Sequence, residues 1–314
     1  MVPGKHGLSR RRFFSALGSY AVAALAARRL PAADADLHPV AHQLFVREGL
    51  DQDADASNDD AIANLSCIVG EDGVAVIDPG GSLADGLRFK AAIRRVTHLP
   101  IRYVVFTHAH PDHLFGAQAF ANEDAQFVAH AAFPAALANR GDYYRDQLSR
   151  LLGRPPGDIV VPKRLVSDRD QLDLGHRRLT LRAYPPAHSS GDLTVFDVRS
   201  NTLLAGDLLF VRRIPSLDGS LKGWLRALAE LKALPAQRAV PGHGPAVVQW
   251  PSGALDLERY LRVLQSDTRR AIAQGVEIDV AVKTVGQSER RRWALFDAYN
   301  GHNATRAYKE IEWD

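Results

Sequence analysis

The chain has 314 residues, 46% of them hydrophobic, and a formal net charge of +3. That length and composition are sufficient for one large domain or two small ones with a substantial core. The near balance of charge gives no nucleic-acid-binding signature. A single cysteine, Cys67, excludes an internal disulfide framework, so the cysteine count does not decide the compartment.

The first 35 residues have the layout of an export signal. Ser9–Phe14 reads S-R-R-R-F-F, Ser15–Ala27 is rich in alanine and mildly apolar, and small residues follow around Ala32. This order is typical of a signal peptide, and its S-R-R-x-F core resembles a twin-arginine signal. Residues 1–35 are therefore predicted to direct export to the periplasm, with membrane anchoring if the signal is uncleaved. A disordered basic arm is the alternative.

The chain after this signal alternates strand patterns with helix patterns. Apolar, β-branched and aromatic runs predict strands at His42–Arg47, Ile62–Val69, Gly73–Ile77, Ile101–Phe106 and Gln126–Ala129. Helices are predicted from the capping residue Ser82, from about Leu114 to Ala121, and over residues 130–155. The acidic stretch Asp51–Asp60 has few apolar residues and predicts a mobile loop.

The second half repeats this alternation. Extended patterns occur at Asp158–Val166, Gln171–Ala183, Asp192–Val198 and Thr202–Leu204. Apolar stripes predict a helix from Leu221 to Leu234 and a long helix from Leu257 to Ile272, within a helical extension over about 254–314. Because strands and helices recur in both halves of residues 36–314, we predict an α/β domain of two packed sheets with helices outside.

The stretch Thr107–His113, T-H-A-H-P-D-H, is the strongest chemical signal in the chain. Its three histidines and one aspartate directly follow the predicted strand Ile101–Phe106, so they lie on a loop at a strand end. Imidazoles and a carboxylate suit a borderline metal such as zinc. The alternative is a solvated polar loop with accidental histidines, which the fixed spacing disfavours.

Three later polar residues share one feature: each follows an apolar run and lies close to glycine or proline. They are His188, Asp207 and His243. Taken singly, a histidine at a strand end is more often structural, and a Gly-Asp pair is usually a turn. As a set with Thr107–His113, they predict a metal site on loops that rigid strands hold.

In this order the motifs resemble those of the metallo-β-lactamase superfamily, including V-A-V-I-D-P-G around Asp78, L-L-A-G-D-L-L-F around Asp207 and P-G-H-G around His243. The resemblance spans about residues 62–244. It implies a four-layer αββα sandwich built from two similar halves, with a dinuclear site at one edge. It also implies a first ion held by His108, His110 and His188, a second ion held by Asp112, His113 and His243, a bridging Asp207, and Asp78 in support of the histidine loop.

The implied cofactor is a pair of Zn²⁺ ions, with iron or manganese as alternatives. Two cations about 3.5–4 Å apart can share a hydroxide, because they lower the pKa of bound water towards neutrality. That hydroxide would attack an ester, thioester, lactone or phosphoester bond, with Asp112, His108 and His110 at the catalytic centre. The predicted function is therefore an exported dinuclear zinc hydrolase that acts on a small molecule.

Two further stretches, residues 207–224 and 288–297, resemble the exported quinoprotein relay system zinc metallohydrolases, which are similar to SoxH-type proteins. This finer resemblance implies a periplasmic quinoprotein dehydrogenase or c-type cytochrome system as a partner. Arg212 and Arg213 follow the Asp207 strand, where they would pair with an anionic group of the substrate. A solvated basic loop is the alternative for this arginine pair.

Three other functions stay open. Many zinc β-lactamases with similar motifs have Cys or Ser at the position of Asp207, so β-lactam hydrolysis is the minority interpretation. A mononuclear iron dioxygenase acting on persulfides would use His108, His110 or His113 with a carboxylate. A metal-binding accessory protein of a periplasmic dehydrogenase is the non-enzymatic alternative. Nucleic-acid partners are disfavoured by the predicted export and the lack of a basic patch, and no stable membrane span is expected after signal removal.

Overall fold

The structure, a computed structural model, describes residue 1 and residues 36–313. The predicted signal peptide, except its first residue, lies outside the described residues. Within the described part, no helix combines the length and the apolar character needed to cross a membrane.

Seven strands form the first sheet, in the order of the sequence. They are β1 (His38–Ala41), β2 (Leu44–Arg47), β3 (Leu65–Val69), β4 (Val74–Ile77), β5 (Ile101–Val105), β6 (Gln126–His130) and β7 (Arg164–Val166). Strands β1 to β4 pair antiparallel, and β4 to β7 pair parallel. The carboxyl ends of β4 and β5 therefore open at the same edge of the sheet.

Six strands form the second sheet, in the order β13-β12-β11-β10-β9-β8. They are β8 (Arg169–Asp173), β9 (Arg178–Tyr184), β10 (Asp192–Asp197), β11 (Thr202–Phe210), β12 (Arg238–His243) and β13 (Val248–Gln249). The β11–β12 pair is parallel and the other pairs are antiparallel. Strands β9, β11 and β12 thus run in one direction and end at one edge.

Within residues 36–313, six α-helices cover the sheets, namely α1 (Leu83–Val96), α2 (Phe133–Leu152), α3 (Leu221–Lys232), α4 (Leu255–Ala273), α5 (Ile278–Thr284) and α6 (Phe296–Ile311). One apolar core lies between the two sheets. Separate cores join the first sheet to α1 and α2, and the second sheet to the helices from α3 onwards. This is the four-layer αββα sandwich, and the fold-class prediction is confirmed.

A buried ion pair connects the two sheets. The guanidinium of Arg177, just before β9, donates to the Asp197 carboxylate at 2.5 and 3.2 Å. The same guanidinium donates to the carbonyl oxygens of Gln43 and Val69 in the first sheet. Both charged side chains are 0% exposed, so this contact fixes one sheet against the other inside the protein.

Three local predictions differ from the structure. The strand predicted over His42–Arg47 begins only at Leu44, because His42 and Gln43 form the turn between β1 and β2, where Gln43 takes a positive φ of 56°. The strand predicted to end at Leu204 continues to Phe210, so Asp207 lies within β11. The predicted helix after the histidine motif is a 3₁₀ segment, Phe115–Phe120.

The acidic stretch Asp51–Asp60, predicted as a mobile loop, folds into turns with a buried end. The Asp55 carboxylate accepts bonds from the backbone N–H groups of residues 57 and 58. Arg88 and Arg154 both pair with Asp59, and Asp60 is buried. Side-chain hydrogen bonds to the backbone and ion pairs with arginines therefore order this segment, although its composition predicts a solvated loop.

Candidate metal centre

All seven predicted ligands lie at one edge of the sandwich. Four of them occupy the loop after β5, where Pro111 begins a 3₁₀ turn that carries Asp112 and His113. The other three come from the second sheet, with His188 in the turn after β9, and Asp207 and His243 near the ends of the parallel strands β11 and β12. The strand directions bring together residues up to 135 positions apart in the chain, from position 108 to position 243.

The first group of side chains consists of His108, His110, His188 and Asp207. The Nδ1 atom of His110 lies 3.0 Å from the Nε2 atoms of both His108 and His188. The Oδ2 atom of Asp207 lies 3.3 Å from His188 Nε2 and 3.6 Å from His108 Nε2. Three imidazole nitrogens and one carboxylate oxygen thus converge on a single point.

The second group consists of Asp112, His113 and His243. The Asp112 carboxylate lies 3.2 Å from His243 Nε2 and 3.5 Å from His113 Nε2. Asp207 reaches this group as well, since its Oδ1 lies 3.2 Å from His113 Nε2 and its Oδ2 lies 3.5 Å from His243 Nε2. Asp207 therefore stands between the two groups, as a bridging carboxylate would.

The donor set fits divalent metal ions. Within each group the candidate ligand atoms all lie within 4.8 Å of one another. The buried atoms His113 Nε2 and Asp207 Oδ1 lie 3.2 Å apart, but neither makes a hydrogen bond of acceptable geometry within the described residues. Since a buried polar atom without a partner costs about 1–3 kcal/mol, such atoms indicate a ligand. Imidazole and carboxylate donors suit zinc, iron and manganese.

The outward-facing nitrogen of each imidazole has its own partner. The Nδ1 atoms of His188 and His243 lie 2.7 Å and 3.0 Å from the carbonyl oxygens of Ser216 and Ile62. His108 Nδ1 contacts the Thr107 hydroxyl at 3.0 Å. Because carbonyl oxygens only accept, His188 and His243 must carry their protons on Nδ1 and present Nε2 as a lone pair to the site.

Asp78 organises the histidine loop, the position that the sequence analysis gives it. Its Oδ2 lies 2.8 Å from His113 Nδ1 and accepts a bond from the Thr107 hydroxyl. Its Oδ1 accepts from the Thr107 backbone N–H. Asp78 takes a positive φ of 57° directly after β4, and this turn aims both carboxylate oxygens at the neighbouring loop.

The charges in the cluster are coupled. Burial lowers the pKa of His108 well below its ordinary value. Burial also opposes protonation of His113, but the Asp207 and Asp112 carboxylates raise its pKa well above the ordinary value. Burial would raise the pKa of those two carboxyls, yet the surrounding histidines lower it. Ionised carboxylates among imidazoles are the charge pattern that a cation site requires.

A cavity of about 450 Å³ opens over the second group. Asp112, Asp207 and His243 form its floor, while apolar side chains form much of its wall, among them Ile62, Leu148, Leu151, Phe210 and Ile214. Leu148 and Leu151 come from α2, and Leu151 remains 48% exposed at the entrance. The shape suits a small molecule with an apolar portion.

The two arginines proposed for substrate binding occupy different environments. Arg213 lines the cavity, is 5% exposed, and donates to the Gln52 carbonyl and the Tyr299 hydroxyl. Its guanidinium also lies 3.6 Å from the Asp53 carboxylate. Arg212 is half exposed, pairs with Glu48 and Asp51, and is not part of the cavity lining. Of the two arginines, Arg213 therefore lies at the cavity and Arg212 lies outside it.

The sequence analysis missed three residues beside the site. The Asp218 carboxylate lies 3.0 Å from His110 Nε2, while Tyr144 and Tyr299 line the cavity from α2 and α6. Asp218 belongs to S-L-D-G-S, which has the composition of an ordinary turn. Long-range contacts alone bring these three side chains to the metal centre, so no local signal could identify them.

Comparisons with known proteins agree with this geometry. A family model described as the metallo-beta-lactamase superfamily matches residues 59–243. An acyl-coenzyme A thioesterase of Gallus gallus is 32% identical over 181 residues, covering 52% of this chain and 61% of its own length. A linear primary-alkylsulfatase of a Pseudomonas species is 24% identical over 241 residues, covering 64% of this chain and 44% of its own length. This chain thus spans less than two thirds of either relative.

Solved structures show the same fold. A metallo-beta-lactamase from Pontibacter korlensis superposes with a TM-score of 0.58 at 18% identity, over 71% of this chain and 98% of its own. The stereoselective inverting sec-alkylsulfatase Pisa1 from Pseudomonas sp. superposes with a TM-score of 0.67 at 17% identity, over 88% of this chain and 50% of its own. With its motifs in order and its ligand atoms gathered at one sheet edge, the chain belongs to the metallo-β-lactamase superfamily.

Proposed function

We propose that this protein is a dinuclear zinc hydrolase that cleaves an ester-type bond between an apolar chain and an anionic group. The observation that carries the proposal is the convergence of seven ligand side chains beside a cavity. Four of them, His110, Asp112, Asp207 and His243, line that cavity, and much of the remaining wall is apolar and includes Arg213. The names of two relatives support this substrate class, since they describe an acyl thioesterase and an alkylsulfatase.

His108, His110 and His188 would hold one ion, Asp112, His113 and His243 the other, and Asp207 would contact both. When bound, a metal pair supplies Lewis acidity and a hydroxide nucleophile at neutral pH. Arg213 orients the anionic group, because a guanidinium keeps further N–H groups beside those already donated to Gln52 and Tyr299.

The apolar wall would bind the chain of the substrate and exclude water from the cavity. Leu148 and Leu151 project from the same side of α2, three residues apart, which is the spacing of neighbours on a helix face. An alkyl or acyl chain placed along them would leave the cavity at the partly exposed Leu151.

Metal quantification on the purified protein, followed by an activity panel, tests the proposal. We expect about two zinc ions per chain, hydrolysis of medium-chain thioesters, esters or sulfate esters, and loss of that activity in Asp112→Asn. If the protein instead contains one iron ion per chain and consumes oxygen when given a persulfide, the dioxygenase hypothesis replaces the hydrolase hypothesis. Turnover of nitrocefin above that of the esters would favour the β-lactamase.

Export, the quinoprotein relay branch and a periplasmic dehydrogenase or cytochrome partner extend this proposal, and they rest on the sequence signatures alone. Cell fractionation of the full chain and of a variant with Arg10→Lys and Arg11→Lys tests export, with periplasmic recovery expected only for the unmodified chain. Co-purification of such a dehydrogenase with Asp112→Asn, which lacks activity, would support the accessory role.

A further inference from the structure

Two of the three histidines in the first ligand group contact one short loop. This loop, Pro215–Ser220, is the part of the β11–α3 connection that directly precedes α3. The Ser216 carbonyl oxygen lies 2.7 Å from His188 Nδ1, and the Asp218 backbone N–H donates to the His188 carbonyl at 2.9 Å. The Asp218 carboxylate lies 3.0 Å from His110 Nε2. The position of the 215–220 loop therefore fixes the rings of His110 and His188.

The Asp218 carboxylate also contacts a second imidazole on its other side. His302, on α6, places its Nε2 3.1 Å from Asp218 Oδ1 and 3.1 Å from the Leu217 carbonyl oxygen. Both of these oxygens accept, so His302 must donate from Nε2. The Asp218 side chain is 19% exposed, and its two carboxylate oxygens lie between the imidazoles of His110 and His302, one oxygen against each ring.

Helix α6 holds the rest of the same loop. Asn303 accepts from the Leu217 N–H and donates to the Pro215 carbonyl, both within 2.9 Å. Arg306 donates to the Asp218 carbonyl at 2.7 Å. Glu310 accepts from the Ser220 hydroxyl at 2.7 Å. Four side chains of one helix, at positions 302, 303, 306 and 310, thus fix the loop that carries Asp218, and this helix lies beyond the family-matched segment.

We propose that Asp218 is a positioning residue that keeps the proton of His110 on Nε2 and its lone pair on Nδ1, and that α6, through His302, sets how tightly the first ligand group binds its metal ion. A carboxylate that accepts from a ligating histidine fixes its tautomer and raises its basicity, and losing one typically weakens metal binding ~10–100-fold. This inference rests on the proposed metal site.

Zinc affinity, measured by chelator competition on the full chain, tests the proposal. We expect Asp218→Asn to bind one of its two zinc ions, the one in the first ligand group, about 10–100-fold less tightly, with the affinity for the other ion unchanged. Asp142→Asn is the matched control, because Asp142 lies on α2 with its side chain 93% exposed, and its affinity should equal that of the unmodified chain. Equal affinities for Asp218→Asn and the unmodified chain would overturn the proposal.

His302 offers a second test that does not disturb the core, because its side chain is 48% exposed. The amide N–H of a glutamine can replace the Nε2 donor, so His302→Gln should retain the zinc affinity that His302→Ala loses. Identical affinities for the two His302 variants, both matching the unmodified chain, would contradict the role of α6. Failure of the unmodified chain to bind zinc would instead refute the metal site itself.

Discussion

At the scale of single residues, each imidazole of the centre is held at one nitrogen and directs the other inward. Asp78 fixes His113, two backbone carbonyls fix His188 and His243, Thr107 contacts His108, and Asp218 fixes His110. This arrangement settles the tautomers before a ligand arrives, so binding does not have to reorder the rings. The sequence predicts the side chains that would ligate the metal. Of the groups that hold the second ring nitrogen of each histidine, it identifies just one, Asp78.

Arg213 makes a residue-scale prediction about substrate binding. Replacing it with glutamine removes a charge-assisted hydrogen bond, worth roughly 1.5–3 kcal/mol, from the anionic end of the substrate. We expect KM for an anionic substrate to rise ~10-fold or more, with a smaller effect on a neutral ester of equal chain length, in steady-state kinetics. Arg212→Gln is the control, and an equal rise in KM for both variants would contradict the assignment.

At the scale of elements, strand direction determines what the sequence can and cannot predict. The hydrophobic runs predict the strands of both sheets, and the histidine spacing predicts the loop after β5. Both patterns lie within a few consecutive residues, so they can be recognised in the sequence. The same runs predict the end of β11 too early, since Gly206 and Asp207 have the composition of a turn although they continue the strand. The Arg213 and Asp218 environments depend on α2 and α6, which approach the centre through contacts that no local pattern encodes.

Helix α2 makes an element-scale prediction about chain length. Leu151→Ser removes apolar surface from the entrance of the cavity, where the distal part of a long chain would pack. At about 0.8 kcal/mol per buried CH₂, and with Leu151 half exposed, KM should rise ~3-fold for long-chain substrates and stay unchanged for acetyl esters. KM is measured for a series of substrates of increasing chain length, on Leu151→Ser and on the control Leu255→Ser at an exposed surface position. An equal change in KM at every chain length would contradict the packing of the substrate chain against Leu151.

At the scale of the whole molecule, the two sheets depend on contacts that cross between them. The Arg177–Asp197 pair is the most deeply buried of these, and Asn64 adds another by donating to the Pro241 and Gly244 carbonyls beside His243. The metal centre lies on the same boundary. The contacts that hold the two sheets together and the metal ligands therefore lie at the same boundary, so a change there can affect both stability and function.

The Arg177–Asp197 pair makes a whole-molecule prediction about stability. Arg177→Gln leaves the fully buried Asp197 carboxylate without its charge partner, which typically costs ~3–5 kcal/mol. Denaturant unfolding followed by fluorescence and by circular dichroism should show a lower midpoint in one coincident transition. Arg178→Gln, next to it and exposed, should leave the midpoint unchanged, and equal midpoints for the two variants would refute the prediction.

Cys67 makes a prediction about access to the core. Its thiol is 0% exposed in β3, and burial raises its pKa to about 12. The native thiol should therefore stay protonated and unreactive towards a thiol reagent at pH 8, and reaction should follow unfolding. The labelling rate measured against denaturant concentration checks this, and rapid labelling of the native chain would show that the core beneath α1 is open to the reagent.

Each ligand group takes side chains from both sheets, with His108, His110, Asp112 and His113 from the first and His188, Asp207 and His243 from the second. A bound ion would therefore cross-link the halves reversibly and would oppose separation of the sheets. The lifetime of the folded chain would then depend on the concentration of free metal around it. A cell short of metal would lose this protein to proteolysis as well as to inactivity.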